Sequence, residues 1–362
     1  MPRENKKLAA AKSAQNDEFY TQYNDIEKEV NAYIDYNENV FRNKTILLPC
    51  DDPETSNFTR YFANNFQRLG IKKLISTSYV HGIGDQNVSL FDKKMSESIK
   101  SKHEKHGKIF VLDGDTDHSG RIDIKDLKSS YLKGDGDFAS PEVKKLRDEA
   151  DIIITNPPFS LFHEFLAWIN EANKKFLIIG NINCLTYQDV FTQIKQNKCW
   201  LGTGMGRWIS GFIVPPEYKL YGTEAHINEK GQRIVSTNNC LWLTNLEHGK
   251  RHEVVEYATM RQNLKYNHKL VKVLKKKYNV DTYPKYDNYD AIEIPYSDAI
   301  PADYVGAMGV PITYLDKYNP DQFEILGIMA STTVTDINYG YPFVNGKKVY
   351  ARILIKNKHP EV

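Results

Sequence analysis

Between residues 44 and 200, short apolar runs alternate with stretches of helical periodicity. KTILLP (44–49), IKKLISTSY (71–79), KIFVLD (108–113), DIIIT (151–155) and KKFLIIG (174–180) read as strands. SNFTRYFANNFQRLG (56–70) reads as a helix: Phe58, Phe62, Phe66 and Leu69 share a face and Gly70 supplies a stop. SPEVKKLRDEA (140–150) opens with Ser140 as N-cap and Pro141 at the first helical position. Two more helices run through LFHEFLAWINEAN and TYQDVFTQIKQ. This rhythm predicts an α/β fold, a mostly parallel sheet with helices on both faces. Such sheets hold ligands at the carboxyl ends of their strands.

A chain of 362 residues with 41% hydrophobic content can bury one large or two modest cores. A net charge of +2 leaves no global polyanion-binding signature, so any nucleic-acid surface must be local. Cys50, Cys184, Cys199 and Cys240 are widely spaced with no CxxC, as expected of a reduced cytoplasmic protein. No apolar run approaches the ~18 residues of a membrane span. MPRENKKLAAAKSAQ has no apolar core of a secretory signal, and residues 1–16 read as a flexible arm.

The stretch DIIITNPPFSLF (151–162) is the informative one. A buried strand runs into Asn156, two prolines and Phe159. An exocyclic amine has a lone pair delocalised into its ring and two N–H donors. Asn156 Oδ1 can accept one N–H and the Pro157 carbonyl the other, drawing the lone pair out of conjugation. The double proline, Pro157–Pro158, stiffens that carbonyl. Phe159 can stack on the ring. The plainer reading is a capped strand exit.

Asp, Asn or Ser before two prolines and an aromatic, placed after a strand, resembles the catalytic motif of amino-methyltransferases that use S-adenosylmethionine. NPPF is similar to the form found in N6-adenine DNA methyltransferases. More specifically, the chain resembles the EcoRI-type adenine-specific DNA methyltransferase family. The likeness runs through DEFYTQYNDIE (17–27), CDDPETSNF (50–58), GDGDF (134–138), TNPPFSLF, SGFIVPPEYKLYGTEA (210–225), NNCLWLTNL (238–246), YPKYDNYDAI (283–292), GAMGVPITYLDKYNPDQFE (306–324) and RILIKNK (352–358).

That resemblance implies a class I, Rossmann-like methyltransferase core over 17–205, with an insertion around 81–133. Residues 206–362 are then the last core strands plus an irregular target-recognition region. It implies S-adenosylmethionine as cofactor. Phe19, Tyr20 and Thr21 correspond to the element that contacts the methionine carboxylate and lines the adenosine end. Asp51 and Asp52 stand in the cofactor loop, where the usual glycine fingerprint is absent; one is expected to meet the methionine ammonium and one to cap the next helix. Asp137 is expected to accept from the cofactor adenine and Phe138 to pack on its ring. The acidic residue that usually meets the ribose is missing from STSYVHG.

The implied reaction is methyl transfer to N6 of an adenine flipped from double-stranded DNA. The implied setting is a restriction-modification system or an orphan modification enzyme, with a short palindrome such as GAATTC as target. The enzyme is expected to be a monomer that forms no stable complex with a cognate endonuclease. Methylation of RNA or of protein glutamine is the alternative, because an amide nitrogen poses the same lone-pair problem. Lysines in KVLKKKYN (272–279), SKHEKHGK (101–108) and RILIKNK are candidate phosphate contacts; Arg207, Asn238 and Asn239 fall where base-reading side chains are expected. DGDTDHSGRIDIKD (113–126) has the acid spacing of a calcium loop but lacks the closing Glu and an entering helix, and reads as a polar turn. No metal site is expected.

Overall fold

The computed structural model describes residues 20–52, 55–79, 106–214, 220, 225–235 and 239–361; the side chain of Arg207 is outside the description. Residues 1–16, Phe19, Asn238 and the 81–105 part of the expected insertion therefore lie outside the described residues. By internal contacts the chain divides into two compact units, 1–181 with 204–246, and 182–203 with 247–362.

In the first unit, β1 is Tyr20–Thr21, β2 Thr45–Leu48, β3 Lys73–Thr77, β4 Lys108–Leu112, β5 Lys128–Tyr131, β6 Ile152–Thr155 and β7 Lys175–Asn181. Then come β8 (Trp200–Met205, in which the division between units falls), β9 (Phe212–Val214), β10 (His226–Ile227), β11 (Arg233–Val235) and β12 (Cys240–Thr244). The large sheet has the order β5-β4-β3-β2-β6-β7-β12-β8. Its centre, β3-β2-β6-β7, is parallel. Every side chain of β2 and β6 is buried, which explains their unbroken apolar sequence. Ile46, Leu48, Leu74, Ile152, Ile154, Leu177 and Ile179 form one core with Ile26, Val30 and Tyr33 of helix Tyr23–Tyr36 and Phe58, Tyr61 and Phe62 of helix Asn57–Asn64. The alternate positions Leu47, Ile153 and Ile178 face the other way; helix Pro141–Glu149 packs on β2 and helix Phe162–Glu171 on β7. Each such side chain contributes about 1.5–3 kcal/mol by leaving water.

The structure corrects the sequence expectations in several places. The sheet is mixed, because β4 pairs antiparallel with β3, β5 with β4 and β12 with β7. The 108–131 stretch runs as a ribbon off the edge of β3, and antiparallel pairing needs no crossover helix. The helix expected over 56–70 breaks at Asn65, whose amide donates to the Tyr61 carbonyl. Gly70 does close it, left-handed at φ 63°. Tyr20–Thr21 is a strand: it pairs antiparallel with β9 in a second sheet, β1-β9-β11-β10.

Residues beyond 205 are also more regular than their punctuation suggests. The two runs in RIVSTNNCLWLTNL are strands but join different sheets. The second unit has its own sheet from β13 (Ala291–Glu293), β14 (Ala307–Pro311), β15 (Phe323–Met329) and β18 (Arg352–Asn357), in the order β13-β14-β18-β15, with a hairpin of β16 (Phe343–Val344) and β17 (Lys347–Lys348). The tyrosine-rich segment YPKYDNYDAIEIPYSDAIPADY (283–304) reads as a polar loop; outside Ala291–Glu293 and Ser297–Ala299 it is indeed irregular, yet Tyr283 and Tyr286 are buried. Glu293, fully buried, accepts from Tyr278 Oη at 2.7 Å, Arg352 Nη2 at 2.6 Å, Arg352 Nε at 2.9 Å and Tyr286 Oη. Tyr278 and Tyr286 are core residues whose hydroxyls help satisfy a buried ion pair, while the buried Tyr283 donates to Ala299 O at 2.7 Å. NLKYNHKLVKVLKKKYN (263–279) reads as one lysine-rich helix, but it is interrupted too. Asn267 caps a new start by accepting from Leu270 N at 3.0 Å, and Leu274–Tyr278 form a π turn.

Candidate active site

The carboxyl ends of β2, β3 and β6 converge on one residue, Asp51. Its backbone N–H donates to Thr77 O at 3.0 Å, tying the loop after β2 to the end of β3. Its Oδ1 accepts from Ser56 Oγ at 2.7 Å and its Oδ2 from Thr155 Oγ1 at 2.6 Å. Its carbonyl accepts from Ser76 Oγ and, at 3.4 Å, from Thr59 Oγ1. Burial pushes this carboxyl up to about 6; the hydroxyls of Ser56 and Thr155 act against that, and the nearby Asp52 adds to it. The half-buried Cys50 thiol is likewise raised, mainly by desolvation and then by Asp51.

Neither aspartate is the helix cap. The N-cap is Ser56, whose Oγ accepts from Phe58 N and Thr59 N while its hydroxyl donates to Asp51. The Asp52 carbonyl accepts from Thr55 N and Ser56 N, which sets the turn into the helix.

Thr155 is the residue before Asn156, so the Asp51–Thr155 hydrogen bond joins the loop after β2 to the start of NPPF. Asn156 is half-buried and Pro157 buried. Pro158 sits at φ −55° and ψ 124°, and its carbonyl accepts from Leu161 N at 3.0 Å, opening a short 3-10 turn over Phe159–Leu161. The Phe159 ring meets Phe212 of β9 edge-on at 6.4 Å. Phe212 is in turn the pairing partner of Thr21 in β1. Thr21 O accepts from Asn57 Nδ2 at 2.8 Å, at the same helix start that Ser56 caps. The structure therefore links Thr21, Asp51, Thr155 and Phe159 through short contacts.

The GDGDF loop lies against the residues that follow β3. Gly136 is at φ 89°, and a Cβ there would fall 2.1 Å from the Ser78 carbonyl, so only glycine fits. Asp137 is exposed; its Oδ1 accepts from Ala139 N at 2.9 Å. Phe138 is half-buried, with its ring edge-on to Phe165 at 5.1 Å and Trp168 at 5.7 Å. The missing acid after β3 gains no replacement among described residues of that strand's exit, which ends at Tyr79.

S-adenosylmethionine fits this arrangement. It carries an ammonium, and the structure holds a buried carboxylate at the strand ends with charge to be offset. It also carries hydrogen-bonding groups, and Thr21 Oγ1 and Thr77 Oγ1 are buried hydroxyls with no partner among the described residues.

A model of the family described as adenine-specific methyltransferase EcoRI matches residues 7–358 of this sequence. The chain belongs to the EcoRI adenine-specific methyltransferase family. It is 45% identical over 356 residues to the type II methyltransferase M.EcoRI of Escherichia coli, covering 98% of this chain and 97% of that one. It is 35% identical to M.MgeORF184P of Mycoplasma genitalium, covering 96% and 98%, and 30% identical to M.MpnI of Mycoplasma pneumoniae, covering 96% and 97%. No solved structure matches.

Two features of this EcoRI-family member escaped the sequence. The hydroxyl shell of Ser56, Thr59, Ser76 and Thr155 around Asp51 is scattered along the chain; only Ser56, as a helix N-cap, left a signal. Asp25 and Glu29 interrupt the apolar face formed by Ile26, Val30 and Tyr33, and both are buried. Acids four apart on a core-facing helix side were the available clue. The acid-rich 113–126 loop brings Asp115, Asp117 and Asp126 within 4.8 Å of one another. Asp126 is held down at about 2 by the N–H groups of Asp123, Thr116 and Asp117, while Asp115 accepts from Ser119 N and Gly120 N.

Proposed function

We propose that this chain, a site-specific DNA methyltransferase, moves the methyl group of S-adenosylmethionine to N6 of an adenine flipped out of duplex DNA. The observation that carries the reading is the 2.6 Å hydrogen bond from Thr155 to Asp51, which joins the cofactor loop to the residue that precedes Asn156. We likewise read the core as class I and Rossmann-like, which the parallel centre β3-β2-β6-β7 supports.

Asp51 would hold the methionine ammonium. Tyr20, Thr21 and Asp52 would line the methionine and adenosine end, together with Phe19. Asp137 would accept from the cofactor adenine beside Phe138. When bound, the cofactor supplies an electrophilic methyl on a sulfonium. Asn156 Oδ1 and the Pro157 carbonyl would take the two N–H donors of the adenine amine and leave its lone pair available. Phe159, already braced by Phe212, would hold the base. No strong base is required, since the proton leaves to water once the nitrogen carries positive charge.

The seven cations Arg261, Lys265, Lys269, Lys272, Lys275, Lys276 and Lys277 are exposed, and no acid interrupts residues 260–279. Among the described residues only Asp281 makes an ion pair with any of them, at 3.7 Å from Lys275. This ridge is the best phosphate-contact candidate. The RILIKNK tail is mostly the strand β18, with Arg352 buried on Glu293. Most of SKHEKHGK lies outside the described residues. We place the enzyme in the bacterial cytoplasm as a monomer serving a restriction-modification pair, without a stable endonuclease complex; no helix of the described residues is long and apolar enough to cross a membrane.

Radiolabelled methyl transfer to duplex DNA, RNA and protein, followed by single-molecule sequencing of the DNA, tests the reading. Asn156→Ala is expected to cut turnover by at least about 100-fold while cofactor binding persists. Turnover that survives within a few fold removes NPPF from the chemistry.

A further inference from the structure

Taking a base out of a duplex leaves a gap in the stack, and a protein that fills it favours the flipped state. The structure carries an aromatic residue suited to that task. Trp208 is 75% exposed, whereas Trp168 and Trp242 are buried and Trp200 lies half-buried beneath the Arg251 guanidinium. An exposed tryptophan alone means little. The way its loop is held gives this one meaning.

Trp208 stands on a 3-10 turn, Gly206–Trp208, between β8 and β9. Two carboxylates of helix Tyr23–Tyr36 clasp the turn from below. Glu29 Oε2 accepts from Gly204 N at 2.8 Å on the way in. Asp25 Oδ2 accepts from Ser210 N at 2.9 Å and Ser210 Oγ at 2.8 Å on the way out. Gln22 Nε2 adds bonds to Ser210 Oγ at 2.7 Å and Gly211 O at 3.1 Å. Ile209 is buried beside Trp208, and Gly211, at φ 118°, leaves no room for a side chain against Ile234 and Val235. Asp25 and Glu29 are 3% and 2% exposed, and Asp25 Oδ1 has no partner among the described residues. Burying these acids is costly, and every loop contact that Asp25 makes serves to fix the turn that presents Trp208.

The turn also leads straight to the candidate site. Four residues beyond Trp208 the chain reaches Phe212, which braces Phe159. Four residues span at most about 14 Å. An exposed indole on a braced turn, within that reach of the Phe212 that meets NPPF, is positioned for a substrate too large to enter the pocket whole.

We propose that Trp208 stacks on a nucleobase in the duplex left behind when the target adenine flips, and so stabilises the extruded state. The proposal rests on the base-flipping reading above. Its test uses the full-length enzyme, S-adenosylhomocysteine and a duplex bearing the methylated site, with 2-aminopurine in place of the target adenine. Wild-type enzyme should raise the 2-aminopurine fluorescence, and a flat wild-type response would count against base flipping itself. Trp208→Ala should lose most of that rise and about tenfold or more in turnover at saturating DNA, with S-adenosylmethionine affinity and thermal midpoint unchanged. Trp208→Phe should keep most of both. A mismatch opposite the target adenine, which lowers the cost of flipping, should restore turnover to Trp208→Ala. Turnover and fluorescence within twofold of wild type in Trp208→Ala, a parallel collapse of cofactor binding, or no rescue by the mismatch would each overturn the proposal.

Discussion

Replacing Asp51 by asparagine should make the free protein more stable and the cofactor complex weaker. A carboxyl that titrates near 3.8 in the unfolded chain is raised to about 6 in the fold. A raised acid disfavours folding when charged, so stability falls as pH climbs from about 4 to 6 and stays lower above that. At neutral pH the deficit is about 3 kcal/mol. The Asp51→Asn side chain has no charge to bury; the Ser56 hydroxyl can go on donating to its amide oxygen while the Thr155 hydroxyl turns to accept from its NH2. The variant should therefore gain about 1–3 kcal/mol at pH 7.5 and almost nothing at pH 4, read as thermal midpoints of the cofactor-free protein at both pH values. Cofactor binding runs the other way. An ammonium prefers the ionised carboxylate, so wild-type affinity for S-adenosylmethionine should weaken about tenfold between pH 7 and pH 5. Asp51→Asn should bind at least about tenfold more weakly than wild type at pH 7.5, for want of a charged acceptor, with a flat profile below it. Titration calorimetry from about pH 4.5 to 7.5 reads both quantities. A wild-type affinity that is flat across that range, or an Asp51→Asn protein that binds as tightly as wild type, would refute the reasoning.

Other outcomes follow from the same geometry. Ser56→Ala removes both a helix cap and a hydrogen bond to Asp51, and should cost about 1–2 kcal/mol in denaturant titrations while moving the midpoint of the pH-dependent affinity upward. Arg352→Met strands the buried Glu293 and should destabilise the second unit by about 3–5 kcal/mol, whereas Glu293→Leu combined with Arg352→Met should recover much of that; urea unfolding of the wild type and both variants checks both statements. Changing Lys272, Lys275 and Lys276 to Gln should reduce the slope of log affinity against log salt by about 2–3 on any duplex, specific or not, and leave turnover at saturating DNA unaltered. An unchanged slope would return that ridge to ordinary solvated surface.

Local sequence carried the elements that depend on local physics. Ile152–Thr155 is a strand buried on both faces, and the apolar run says so directly. Ser140 with Pro141 starts a helix as written, because capping is decided within about four residues. Asn65 and Asn267 show the limit: each side chain competes for a backbone group in mid-helix, and the choice between continuing and breaking turns on packing further away. Pairing direction was harder still. Nothing within KIFVLD states that it runs antiparallel to β3, since that depends on where the chain goes after Asp113. The Asp51 shell was illegible for the same reason. Ser56, Ser76 and Thr155 meet only because three strands end side by side, and hydroxyls scattered so far apart in sequence give no periodic signal. Tyr283 and Tyr286 read as loop residues because their hydroxyl is the part that sequence patterning notices, whereas their rings are what the core uses.

The route of the chain between the two units has a consequence for its birth on the ribosome. Residues 182–203 and everything after 246 build the second unit, so the first is completed late, when the chain comes back for 204–246. The edge of β7 is paired by β12, which ends at Thr244. When only about the first 200 residues have emerged, Ile178 and Ile179 lie in a strand whose outer N–H and C=O groups have no neighbour of their own. At about 5–20 residues per second that exposure lasts a few seconds. An open apolar strand edge is a template for pairing with other chains. Truncations that stop between 182 and 239 should therefore be insoluble, while slower translation across that interval should lower the yield of folded enzyme without altering a single native contact.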